Sequence, residues 1–90
     1  MEKIFSITDS RSGITFNAEV KIEANSEKST VKFYDTRYPH TPLGQFTGGS
    51  YYLSTILEVK GGLNIHGGVP DWSISAEPFQ RFLVALRETL

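Results

Sequence analysis

The chain of 90 residues has no cysteine, one methionine and two histidines. Without cysteine there can be no disulfide, no thiolate nucleophile and no Cys-based zinc site. Small secreted domains often need disulfide staples, so the composition points to the cytoplasm. No apolar run approaches the roughly 18 residues of a membrane span. Met1 leads directly into the strand-like Glu2-Lys3-Ile4-Phe5, so neither a signal peptide nor a membrane partner is expected. Charge of one sign is missing as well. The net charge is -1 and the pI is about 6.1, whereas duplex binding calls for a basic stripe and a high pI. Direct duplex nucleic-acid binding is therefore not expected.

Chemistry-bearing motifs are equally sparse. His40 and His66 lack clustered ligands at metal-binding spacings, so no metal is expected. Thr47-Gly48-Gly49-Ser50 could place N–H groups at a helix start. It is neither GxxxxGK[ST] nor GxGxxG, and a turn followed by an N-cap explains it. No GxSxG elbow surrounds any serine. Glu19 and Glu23 flank Lys21 on what reads as a solvated strand face. No cofactor is expected, no catalytic residue is assigned, and the chain reads as a non-enzyme.

What is present is a foldable pattern. Ninety residues make one domain, 1–90. Eleven aromatics can fill a core that would otherwise be thin. Lys3 to Thr8 is β-prone, and Asp9 to Gly13 forms a turn. Ile14, Phe16, Ala18, Val20, Ile22 and Ala24 then alternate with polar residues, which predicts a long antiparallel strand with one wet face. Asn25 to Lys28 turns into a third strand, Thr30 to Arg37. A helix is expected over Tyr51 to Val59, although Tyr51 to Ile56 would also tolerate a strand. Gly61 or Gly62 would end it in a left-handed conformation. Leu63 to His66 and Trp72 to Ser75 read as short strands either side of a Gly67 to Asp71 turn. Ser75 would cap a last helix with Phe79, Phe82, Leu83, Leu86 and Leu90 on one face. The expected architecture is α+β: an antiparallel sheet of about five strands with two helices on one face, in the order β-β-β-α-β-β-α.

One segment stands out as a binding candidate. Tyr34, Asp35, Arg37, Tyr38, His40 and Gln45 gather at a proline-bounded corner, and Tyr and Arg are enriched in binding hot spots. The plainer explanation is a polar strand end with a rigid corner. If the corner docks a partner, losing Arg37 or Tyr38 is expected to weaken binding and leave the melting temperature unchanged. Trp72 reads as core.

Two segments carry a resemblance. One is Val31-Lys32-Phe33-Tyr34-Asp35-Thr36-Arg37-Tyr38-Pro39-His40-Thr41, continuing to Gly44-Gln45-Phe46 and Ser50-Tyr51-Tyr52. The other runs from Gly62-Leu63-Asn64-Ile65-His66 through Gly67-Gly68-Val69-Pro70-Asp71 to Trp72-Ser73-Ile74-Ser75. Together they resemble small proteins carried on prophages and plasmids of enteric bacteria. Some proteins of that size and setting are anti-CRISPRs or other anti-defence inhibitors. The resemblance implies a mobile-element protein that blocks a bacterial defence complex by docking on one of its protein subunits, and it transfers no functional residue. Two other classes stay open: a small enzyme or ligand-binding domain using a sheet–helix pocket, and a structural or oligomerisation module of a phage or plasmid machine.

Overall fold

The computed structural model describes residues 1–22, 29–41, 43, 50–65 and 72–90. The order of elements is β1 (Glu2–Thr8), β2 (Thr15–Ile22), β3 (Ser29–Asp35), β4 (Ser50–Tyr52), α1 (Leu53–Leu57), β5 (Leu63–Ile65), β6 (Trp72–Ile74) and α2 (Ala76–Thr89). The α+β class is as expected. The single sheet of five strands is not: β1-β2-β3-β4 form a four-stranded antiparallel sheet, and β5-β6 form a separate hairpin.

Strict alternation sets the register. Phe16, Ala18 and Val20 on β2 are wholly buried, as are Val31 and Phe33 on β3. The pairs Ile7↔Phe16 and Phe16↔Asp35 run straight across three strands. A slip of one residue would turn every one of these side chains to water. Phe79, Phe82, Leu83 and Leu86 of α2 join this core. Phe82 meets Phe5 edge-on at 5.3 Å and Phe33 at 6.1 Å, which ties the helix to both β1 and β3.

The helix expected over Tyr51 to Val59 is shorter than its pattern suggests. Its first residues pair with β3 instead, Tyr51 opposite Val31 and Tyr52 opposite Thr30. Aromatic residues suit strands, and this pairing supplies partners to a β3 edge that would otherwise be bare. Only Leu53–Leu57 is helical. Helix α2 secures the far end of that turn: Arg87 Nη2 donates to the Leu57 carbonyl at 2.7 Å, and Gln80 Nε2 donates to those of Val59 and Gly61.

Gly61 has a φ of +80°, the left-handed conformation anticipated for this pair of glycines. Gly62 serves differently, because a Cβ there would run into the Ile74 carbonyl oxygen and crowd the Ala76 nitrogen. The hairpin and the start of α2 thus close directly onto bare backbone. Ser75 does precede α2, but its hydroxyl makes no cap bond to the helix. It donates to Asp9 instead. The turn at Asn25 to Lys28, the Thr47-Gly48-Gly49 stretch, and His66 with the Gly67 to Asp71 turn lie outside the described residues.

Candidate functional site

The corner begins where β3 ends. Ser29, Val31, Phe33 and Asp35 share the inward face of β3, and Asp35 is completely buried. A buried carboxylate requires a partner, and Arg37 supplies it two residues later. Its Nε lies 3.1 Å from both carboxylate oxygens, its Nη2 lies 2.7 Å from Oδ2, and its backbone N–H donates to Oδ1 at 2.9 Å. The hydrogen bonds from Arg37 hold the Asp35 carboxyl below the usual carboxylate range, against the upward push of burial. The same bonds raise the Arg37 guanidinium.

Two successive turns form the corner beyond this pair. Tyr38 N–H donates to the Asp35 carbonyl at 2.8 Å, and Thr41 N–H donates to that of Tyr38 at 3.2 Å. Thr36 fastens the corner to β2 through its N–H and hydroxyl, both donating to the Thr15 carbonyl. Leu43 N–H returns to the Phe33 carbonyl at 3.0 Å, and the Leu43 side chain is buried. Tyr38 is left projecting, 57% exposed. The Arg37 guanidinium lies 5.8 Å from the ring centroid of Tyr38 and 5.8 Å from that of Trp72, within cation–π range of each. Trp72 is half-buried and meets Phe16 edge-on at 6.0 Å. Beside it opens a recess of about 270 Å³ whose lining includes Asp9, Arg11, Ser12, Phe16, Arg37 and Trp72.

The six candidate residues therefore separate. Asp35, Arg37 and Tyr38 come together. Tyr34 lies on the opposite face of β3, next to Asn17 of β2. Burial, reinforced by the Glu19 carboxylate and opposed by Lys21, raises its phenol. His40 is exposed in the second turn, and Gln45 lies outside the described residues. The guanidinium of Arg37 pairs with a buried carboxylate, so its loss is now expected to cost stability as well as any binding. Trp72, expected in the core, is partly buried and packed against it, and it also joins the corner as a residue the linear reading missed. It stands 35 positions beyond Arg37 in the sequence, and no local pattern links the two.

Among the described residues, no group of three or more His, Asp or Glu side chains could hold a metal ion. No helix among them is long and apolar enough to cross a membrane. The assembled corner is a charged and aromatic surface with the Arg37 guanidinium paired to the buried Asp35 carboxylate and lying beside two rings. No family model, curated protein or solved structure matches the chain.

Proposed function

We propose that this chain is a non-enzymatic protein-binding inhibitor encoded by a phage or other mobile element. It docks on a protein subunit of a bacterial defence complex of the CRISPR-Cas type. The observation that carries the docking part is the placement of Arg37 beside exposed Tyr38 and half-buried Trp72, with Asp35 fixing its orientation. Tyr, Trp and Arg are the residue types that dominate binding hot spots. A guanidinium already locked by a buried carboxylate loses little rotamer entropy when a partner arrives. The defence-complex part rests on the resemblance of the corner segment and the Gly62 to Ser75 segment to prophage and plasmid proteins.

The test is functional and paired. The chain is expressed in bacteria whose CRISPR-Cas system targets an infecting phage, and plaques are counted with wild type and Tyr38→Ala. Rescue of plaquing by wild type is expected. Its loss in the variant, at equal expression and equal melting temperature, places the contact at the corner. A folded wild-type protein that rescues no phage across the defence types tested removes the inhibitor reading. Full rescue by Tyr38→Ala moves the contact elsewhere.

A further inference from the structure

Strand β1 ends the order β1-β2-β3-β4, so one side of it has no neighbouring strand among the described residues. Which of its backbone groups face outward follows from its pairing with β2. Met1 and Ile22 exchange two hydrogen bonds, at 2.7 and 2.8 Å, and Asp9 N–H donates to the Ile14 carbonyl at 2.9 Å. In an antiparallel pair, bonded and non-bonded positions alternate. The odd-numbered residues of β1 therefore bond to β2. Glu2, Ile4, Ser6 and Thr8 turn their N–H and C=O groups away from the sheet. The contact of Thr8 Oγ1 with Thr15 Oγ1 at 3.0 Å fits the closer side-chain spacing of a non-bonded pair.

Exposed edges are usually blunted by proline, a bulge or an outward lysine. Here the register runs unbroken from Glu2↔Lys21 to Thr8↔Thr15, and the strand contains no proline. Its one lysine lies over its own Phe5 ring, 5.0 Å from the centroid. Ile4, at the middle of the row, is 64% exposed, more than any other large apolar side chain among the described residues.

We propose that β1 pairs antiparallel with β1 of a second copy of this chain, joining two four-stranded sheets into one. The two-fold axis passes through Ile4. Ile4 then meets Ile4 of the second copy, Glu2 faces Ser6, and Lys3 faces Phe5, where its ammonium gains a second aromatic ring. Neighbouring registers are worse. An axis at Lys3 sets two ammonium groups face to face, which is destabilising. The other constraint is α2, whose Pro78, Arg81, Phe82 and Ala85 flank the Phe5 to Thr8 end of the strand. With the axis at Ile4, Phe5 of one copy lies opposite Lys3 of the other, so the two strand segments flanked by α2 do not overlap. With the axis at Phe5, Phe5 lies opposite Phe5 and the two flanked ends meet.

The interface is small, below about 1,200 Å² in total, so the dimer belongs to the weak, concentration-dependent class. Sedimentation equilibrium from micromolar to millimolar protein reads it directly. Wild type is expected to pass from monomer to dimer across that range. Ile4→Lys places like charges opposite each other. Ile4→Pro removes only an outward-facing donor, a position where an edge strand tolerates proline. Each variant is expected to raise the dissociation constant at least tenfold while keeping the wild-type far-ultraviolet spectrum. If Ile4→Pro fails to fold, Ile4→Lys carries the comparison alone. Wild type that stays monomeric throughout, or a dimer that survives in the folded variants, overturns the pairing. The surface is distinct from the corner, so Tyr38→Ala dimerises like wild type whatever becomes of the docking reading.

Discussion

Asp9 and Ser75, 66 residues apart in the chain, meet at a single carboxylate. Ser75 donates both its N–H and its hydroxyl to Asp9 Oδ1, while the N–H and hydroxyl of Ser12 fill Oδ2 at 2.8 and 2.7 Å. The β1–β2 turn is thereby pinned to the first residue before α2. The charge also sits at the positive end of the helix dipole, where an anion is favoured.

Replacing this carboxylate should unfasten the helix from the sheet. Asp9→Asn exchanges charge-assisted bonds for neutral ones and is expected to cost about 2–3 kcal/mol at neutral pH. Burial alone would raise the Asp9 carboxyl, but the bonds from Ser75 and Ser12 outweigh it and hold it well below the usual range. A lowered folded-state pKa means stability that is complete above the unfolded value of about 3.9 and is lost as pH falls below it. Denaturant unfolding of wild type and variant should therefore converge as pH drops from about 5 to about 2. A gap that stays constant over that range would show that ionisation of Asp9 contributes nothing.

The sheet register makes its own prediction. Phe16 is wholly buried between Ile7 and Asp35 in the pairing, and Phe16→Ala should cost about 3–5 kcal/mol through the cavity it leaves. Lys21 is on the opposite face, its side chain 46% exposed, with ion pairs to Glu19 at 3.4 Å and Glu2 at 3.8 Å. Such surface pairs contribute little, so Lys21→Ala should stay within about 0.5 kcal/mol of wild type. Equal melting temperatures for the two variants would mean the strand is turned over.

Alternation made the three long strands and the α2 face legible, because a period of two or of 3.6 is carried by each residue and its near neighbours. The same parity applies to Asp35, which follows Val31 and Phe33 inward, and to Asp9, which follows Phe5 and Ile7. A strict reading of the period would have flagged both as buried carboxylates in need of donors. Strand β4 was legible only as an alternative to a helix, since a three-residue strand next to Leu53–Leu57 takes its identity from a neighbour supplied by β3. The contact of Arg37 with Trp72 was not legible, because the β5–β6 hairpin packs against the sheet instead of extending it.

The two adjacent glycines should separate on substitution. Gly61 has φ +80° and open space around it, so Gly61→Ala costs only the strain of a left-handed residue, about 1–2 kcal/mol. Gly62→Ala drives a methyl group into the Ile74 carbonyl, and backbone cannot swing aside as a side chain can. Its cost should exceed about 3 kcal/mol, beyond the ordinary range for overpacking. Thermal melts rank the pair, and a smaller loss for Gly62→Ala would refute the close approach of the hairpin.

The last prediction concerns the ion pair beneath the corner. Arg37→Ala should lower the melting temperature at neutral pH, because it leaves Asp35 buried with its main charge partner removed. Tyr38→Ala should not, since that ring is mostly in solvent. The pH dependence distinguishes this account from a simple loss of packing. In wild type the Asp35 carboxyl is held low, so its contribution is present above about pH 3.9 and fades in acid. Without Arg37, burial dominates and the folded-state value rises above the unfolded one. The variant then loses stability as pH rises and regains it on acidification, the reverse of wild type. Adding Asp35→Asn to Arg37→Ala removes the stranded charge, which should restore part of the stability at neutral pH and flatten the profile. A double variant no more stable than Arg37→Ala, with the same pH slope as wild type, would mean that Arg37 supports the corner through its contacts with Tyr38 and Trp72 and not through the carboxylate.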